Sequence, residues 1–413
     1  MSQGSCLPIV MQALPRWDGK YASTSLNIAR QLSKNHLVFY VDHPFTYKDN
    51  LLGKENSQIE KRKAIWGGKA LRFYKPFDEF QNLIAVSPNP IPPINALPPG
   101  GVYEAMNRFA CRIIWNAVNQ AMDAFRVEEF VYINSFDPTF RHIYTNRKVV
   151  LTVYHCVDNI SGEKYIARHG VNAENEFARD ADLTVSTSSE LVRKMAKINP
   201  ASYYVPNAAD YELFSKHVSE LPDDLAKIPN PRILYMGNIG LRIDYEMLYE
   251  AAAKRQDWNF VFVGPKDPRE FKGQKLEGLN NVHFLGPRPY SSLPSYLKGA
   301  DVCLIPFIPD DLTRYIYPLK INEYLAAGKA VVSTRFADLT DFSSVIYLAD
   351  TAEELIASVV QAMNETDEKR DALRKSVAAQ NTWEKRLEQL EEIIEIGLQK
   401  KTSNAKEAYS EVV

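Results

Sequence analysis

Short apolar runs recur along this chain, and amphipathic stretches fill most of the gaps between them. In the first half the runs are Leu7 to Ala13, Leu37 to Asp42, Leu83 to Val86, Phe130 to Asn134, Val149 to Tyr154 and Leu183 to Thr187. In the second they are Ile233 to Gly237, Phe260 to Gly264, Val282 to Gly286, Val302 to Pro306, Ala330 to Thr334 and Val345 to Leu348. Strands that alternate with helices point to α/β architecture with parallel sheets. The two halves also echo each other. Arg179-Asp-Ala-Asp-Leu-Thr-Val-Ser186 and Lys298-Gly-Ala-Asp-Val-Cys-Leu-Ile-Pro306 both read as a helix end, Ala-Asp, then a buried strand. Two similar Rossmann-like domains explain the repetition.

At 413 residues and 45% hydrophobic content the chain can bury two ordinary cores. The first domain is expected over 1–214. A polar, proline-punctuated linker follows over 215–231, where Glu220-Leu-Pro-Asp-Asp224 and Ile228-Pro-Asn-Pro231 stand before a new strand. The second domain is expected over 232–381, then a charged helix over 382–401 that packs back on the first domain. Residues 402–413 read as a disordered tail. Open parallel sheets bind ligands beyond the carboxyl ends of their strands, so the loops there carry the functional weight.

A net charge of -2 gives no general attraction to nucleic acid. Cys6, Cys111, Cys156 and Cys303 are scattered and read as buried hydrophobes in a reducing compartment. The start lacks a basic region and no apolar run approaches the roughly 20 residues that span a bilayer. A cytoplasmic protein is expected.

The segment Tyr317-Pro-Leu-Lys-Ile-Asn-Glu-Tyr-Leu-Ala-Ala-Gly-Lys-Ala-Val-Val-Ser-Thr334 predicts a short helix, with Pro318 at its first position and Gly328 just past its end, then a buried strand. Lys320 and Glu323, three apart, share one face. A helix start offers free N–H groups and partial positive charge, so Lys320 beside it suits a diphosphate. Glu323, one turn on, suits a ribose diol.

Four segments in order resemble the GT-B glycosyltransferases of family 4 (group 1), in a bacterial branch near the teichuronic-acid-type transferases. Val153-Tyr-His-Cys-Val-Asp158 looks like that branch's strand-loop motif at the cleft, and Val205-Pro-Asn-Ala-Ala-Asp-Tyr-Glu-Leu-Phe214 resembles the V-P-N-G-x-D-x-x-x-F segment that ends the first domain. Val282-His-Phe-Leu-Gly-Pro-Arg-Pro-Tyr290, followed by Ala300-Asp-Val-Cys-Leu-Ile-Pro306, looks like the base-binding and donor-loop region. The 317–334 segment matches the family's second glutamate and its Ala-x-Gly-x-Pro-Val-Val ending. The family carries two glutamates separated by seven residues, and counting back from Glu323 puts Tyr315 in the first place.

The resemblance implies two Rossmann-like domains facing across a cleft. It implies transfer of a sugar from a nucleoside diphosphate donor, such as a UDP-sugar, to a saccharide or lipid-linked acceptor in cell-surface polysaccharide synthesis. Retention and independence from metal or other cofactors are the family expectations. A non-catalytic homologue that binds the nucleotide sugar, or serves as a scaffold, is the alternative that Tyr315 keeps open.

Charge grows on the leaving diphosphate as the anomeric bond breaks, so fixed positive charge is the main requirement. Arg242, after Met236-Gly-Asn-Ile-Gly240, and Lys320 are the candidates, with Gly237 allowing close backbone approach. Pro318 and Leu319 stand at the helix start that would receive the diphosphate. The base is expected near Arg288, Pro289 and Gly264. Tyr315 and Arg314 are expected near the transferred sugar, Arg314 being suited to a sugar carboxylate. In the first domain the candidates are Gly19 and Lys20, on the sugar or acceptor side, and His155 and Asp158 after a central strand. Asp180-Ala-Asp182 is also a possible metal-binding D-x-D, against which stands its counterpart Asp301 at the head of another strand. The run from Lys54 to Lys75 interleaves basic residues, among them Lys61, Arg62 and Lys63, with Trp66, Leu71, Phe73 and Tyr74. That pattern suits either a solvated loop or peripheral contact with an anionic membrane.

Overall fold

The computed structural model describes residues 7–19, 23–52, 56–162, 166–365 and 368–410. It divides into two compact units, Met1–Val205 with Leu387–Val413, and Pro206–Arg386.

The first unit is built on an eight-stranded sheet: β1 (Ile9–Ala13), β2 (Val38–Asp42), β3 (Phe73–Tyr74), β4 (Leu83–Val86), β5 (Glu129–Ser135), β6 (Lys148–Cys156), β7 (Leu183–Ser186) and β8 (Ser202–Tyr204), in the order β3-β4-β2-β1-β5-β6-β7-β8. Every pairing is parallel except β3 with β4. β1, β2 and β4 are buried at every residue, which is why they read as unbroken apolar runs. The strands β3 and β8 escape the sequence pattern because they are short edge strands whose residues are only half-buried or exposed.

The second unit carries a six-stranded, wholly parallel sheet: β9 (Arg232–Met236), β10 (Asn259–Val263), β11 (Val282–Gly286), β12 (Val302–Ile305), β13 (Val331–Ser333) and β14 (Tyr347–Leu348), ordered β11-β10-β9-β12-β13-β14. Three of its described helices start on side-chain caps. Asp210 accepts from Leu213 N, Asp244 from Met247 N and Thr351 from Glu354 N. Each such cap satisfies an orphan donor worth about 1 kcal/mol.

The echoed Ala-Asp pairs prove to be strand anchors. Asp182 Oδ2 accepts from Thr152 N at 2.7 Å, and Asp301 Oδ2 accepts from Arg232 N at 2.6 Å. Each carboxylate thus ties the head of its own strand to the neighbouring strand. Asp182 also pairs with Lys401 at 2.7 Å, so a structural duty accounts for it without a metal.

Three expectations change. Residues 206–231, read as a domain end and linker, belong to the second unit: Phe214, Leu225 and Ile228 enter its core, and a helix forms over Asp223–Ala226. A polar, proline-rich run hides these few apolar anchors. The last helix runs from Trp383 to Ser410, beyond the point where disorder was expected. Its Leu390, Ile393 and Ile394 are buried, and Glu391 meets Asn35 and His36 of the first unit. The basic run near residue 60 is a helix, Asn56–Trp66, followed by β3. Ile59, Arg62 and Ile65 form its buried stripe at helical spacing.

Candidate donor site

At the carboxyl ends of β9 and β10 two glycine backbones cross. Gly237 has φ of 145° and Gly264 of 152°, and a Cβ on Gly264 would lie 1.8 Å from Gly237 O. No other residue type permits that approach. Gly237 N also donates to Val263 O at 2.8 Å. A Cβ on Gly237 would lie 2.0 Å from Lys320 Cε and 2.8 Å from its Nζ, so the Lys320 amine rests directly over this turn.

Lys320 stands in the first turn of the helix Leu319–Ala326. Pro318 is the cap rather than the first helical residue, one place earlier than expected, and Gly328 lies just past the end. The proline's missing N–H is harmless at either place. Among the described residues no oxygen is bonded to the Lys320 ammonium. Its neighbours are the rings of Tyr235 and Phe307, with centroids 5.9 Å away. Burial lowers its pKa, Glu323 works against that, and Arg242 lowers it further. Arg242 is thus near enough to act on Lys320 by charge. It is held in its loop where Ile308 N donates to Arg242 O at 2.8 Å.

Glu323 is 9% exposed, and burial raises its pKa; Lys320 and a hydrogen bond from Tyr290 lower it, and Asp210 raises it. A cation over a glycine turn, a second cation within electrostatic reach of it, a helix start and a buried carboxylate one turn on form a receptor for a diphosphate attached to a diol.

The remaining candidates have partners of their own. Arg288 is engaged by Asp224 at 2.6 Å and donates to Tyr296 Oη at 2.6 Å, which ties its guanidinium to the Asp223–Ala226 helix. Pro289 adjoins it as the cap of the 3-10 turn Tyr290–Ser292. Arg314 lies over the Tyr315 ring with its Cζ 4.8 Å from the centroid, donates to Tyr315 Oη at 2.8 Å and pairs with Asp311 at 3.3 Å.

In the first unit His155 is the penultimate residue of β6 and is 3% exposed. Its Nδ1 is 2.8 Å from Ser135 Oγ, which is 2.7 Å from Ser25 Oγ. Its Nε2 has no partner among the described residues, and burial pushes its pKa down to about 4, so the ring is neutral at physiological pH. Asp158 Oδ1 accepts from Asn159 N. Gly19, itself exposed, closes a half-buried turn, its N donating to Arg16 O at 3.0 Å. Lys20 lies outside the described residues.

Three residues are not separately marked by the sequence. Asn207 Nδ2 donates to Tyr317 O at 3.2 Å, fixing the approach to the Lys320 helix. Tyr290 and Asp210 both act on Glu323. All three sit inside the motif segments quoted above, yet nothing in the spacing says that they meet Glu323 or its helix.

Residues 230–365 match the family described as Glycosyl transferases group 1. The second unit therefore carries a group 1 glycosyltransferase domain, and the chain has the GT-B fold. The chain is 28% identical over 225 residues to the "Putative teichuronic acid biosynthesis glycosyltransferase TuaH" of Bacillus subtilis (strain 168), a match covering 51% of this chain and 56% of that protein. Among solved structures it resembles an Escherichia coli protein described as "Trehalose-6-phosphate from E. coli bound with UDP-2-fluoro glucose" at a TM-score of 0.67 and 12% identity, covering 95% of this chain and 99% of that one. The Anabaena protein Alr3699/HepE, in complex with UDP and glucose, gives a TM-score of 0.61 and 14% identity, with 94% of this chain and 99% of that one covered.

Proposed function

We propose that the protein transfers a sugar from a nucleoside diphosphate donor, UDP-linked by analogy with the ligands of its structural neighbours, to a saccharide or lipid-linked acceptor of a cell-surface polysaccharide. The observation that carries this reading is the half-buried Lys320 ammonium, set over the Gly237 turn within electrostatic reach of Arg242, with no oxygen bonded to it among the described residues. A diphosphate supplies the missing partner. As the anomeric bond breaks, the two cations take up the charge that grows on the leaving oxygens, and the site needs no metal for that step. Retention follows from the family resemblance. The neutral His155 offers one ring nitrogen to a hydroxyl while Ser135 holds the other.

A panel of radiolabelled UDP-, GDP- and ADP-sugars, with and without EDTA, tests the proposal. Hydrolysis or transfer that survives chelation is expected. Activity abolished by EDTA and restored by Mn²⁺ overturns the metal-free step. Tight binding without turnover favours the second reading, a non-catalytic nucleotide-sugar binder, for which Tyr315 in place of a carboxylate is the motivating observation.

We place the protein in the cytoplasm, at the inner face of the membrane where a lipid-linked acceptor resides. No helix among the described residues is long and apolar enough to cross a membrane. Lys61 and Lys63 remain exposed on the Asn56–Trp66 helix, with Lys69 and the 68% exposed Leu71 just beyond. Arg62 is buried and takes no part. Neutralising Lys61, Lys63 and Lys69 together is expected to lower co-sedimentation with anionic vesicles about tenfold at low salt. If the unaltered protein ignores such vesicles, the acceptor is a soluble saccharide.

A further inference from the structure

We infer that Tyr290 is a positioning residue that holds the Glu323 carboxylate in its ribose-binding pose before the nucleotide arrives. The inference rests on the reading that Glu323 receives the ribose, and deepens it. Tyr290 Oη donates to Glu323 Oε1 at 3.2 Å, from a 3-10 turn 33 residues away in sequence. The Tyr290 ring is itself braced: it stands edge-on to Phe214, with centroids 5.4 Å apart. Phe214 is 1% exposed and lies in the last turn of the helix Tyr211–Ser215, which packs against the Leu319–Ala326 helix. One segment therefore supplies both the brace and, through Asp210 at its cap, a negative charge near Glu323.

A single hydroxyl donor on one carboxylate oxygen fixes the rotamer of a side chain that otherwise has three free torsions, and leaves the second oxygen for the ligand. Ordering the carboxylate beforehand removes an entropy cost from binding. The donor also favours the ionised form of Glu323, which is the form that accepts from two ribose hydroxyls.

Among the described residues the charged and titratable groups around Glu323 are few. Lys320 lies on its own helix, Tyr290 and Asp210 on the elements just described, and Arg242 acts through Lys320. The helix Glu368–Ala379 also packs on this helix. Its Asp371 would meet a Cβ on Gly328, Lys375 is paired with Asp371 and Arg374 is bonded to Glu365. Tyr324, the next residue, stays protonated, its pKa raised first by burial.

The signs of two substitutions are opposite. Burial already raises the Glu323 pKa, so nucleotide affinity has an acid limb above the pH at which an ordinary glutamate loses its charge. Tyr290→Phe removes a donor to the carboxylate and moves that limb to higher pH. Asp210→Asn removes a neighbouring negative charge, keeps a side-chain cap for Leu213 N, and moves the limb to lower pH.

Calorimetric titration of UDP into the full chain, its Tyr290→Phe, Asp210→Asn and Glu323→Ala variants, across pH, reads all of this. The phosphate titration of UDP itself is common to the four proteins and cancels between them. Above the limb, Tyr290→Phe is expected to weaken UDP about three- to tenfold, with the two limbs displaced in opposite directions. A Tyr290→Phe protein with unchanged affinity and an unmoved limb overturns the inference, provided that Glu323→Ala weakens binding. Should Glu323→Ala bind as the unaltered protein does, Glu323 is not the ribose ligand and both readings fall. Equal displacement of both limbs in one direction marks a general disturbance of the fold and also overturns it.

Discussion

Lys320→Met lowers turnover by about a hundredfold to a thousandfold while leaving the unliganded protein at least as stable as before. The turnover loss is the usual size for removing one fixed electrostatic contact to developing charge. Methionine keeps the unbranched stem over Gly237 and deletes only the ammonium. The stability half of the prediction follows from the pKa. Burial lowers the Lys320 pKa below that of free lysine, so the unfolded chain holds this proton at pH values where the folded one releases it. Stability from this group therefore rises as the pH climbs toward the ordinary lysine range, and the methionine variant loses that dependence. Steady-state kinetics beside thermal melts across pH check both halves. Because the cation acts most on the leaving diphosphate, the loss should appear in kcat more than in KM. Turnover within threefold of the original, or a collapse of the melting temperature, removes Lys320 from its assigned role.

Arg62→Ala destabilises the first unit by about 3–5 kcal/mol, the cost of breaking a buried ion pair and stranding its carboxylates. Arg62 is 1% exposed. Its Nη1 donates to Asp18 Oδ2 at 3.0 Å and its Nη2 to Asp42 Oδ2 at 2.7 Å, and Ser87 Oγ adds a bond to Asp42. Burial alone would lower the Arg62 pKa, but Asp42 and Asp18 more than reverse it. The interaction ties the loop after β1 to the end of β2. Trp17, whose indole donates to Tyr74 Oη at 2.9 Å, shares that loop. Urea unfolding followed by tryptophan fluorescence measures the cost, and a double variant with Asp42→Ala should lose less than the two single losses combined. A loss under about 1 kcal/mol would mean that the trio contributes no more than an exposed pair does.

Arg62 also shows where sequence reading stops. Between Lys61 and Lys63 it looked like one more charge on a basic surface, and its i±3 neighbours Ile59 and Ile65 were the only local hint that it faces inward. The partners that make burial tolerable, Asp18 and Asp42, are 44 and 20 residues away. Arg288 tells a related story: its partner Asp224 lies 64 residues away, in a stretch read as a linker.

Strand positions were legible because β1, β2, β9, β12 and their neighbours are buried on both faces, and continuous burial leaves a continuous apolar signature. The Lys320 and Glu323 pair was legible because both lie on one short helix, within three residues. The chain by itself therefore determined the α/β class, the strand order of appearance and the local half of the donor site. Only tertiary structure decided that Gly237 and Gly264 cross under Lys320, that Tyr290 and Asp210 reach Glu323, and that 206–231 folds into the second unit. Those facts depend on contacts across many intervening residues. Periodicity and capping record only what neighbours along a helix or strand require of one another.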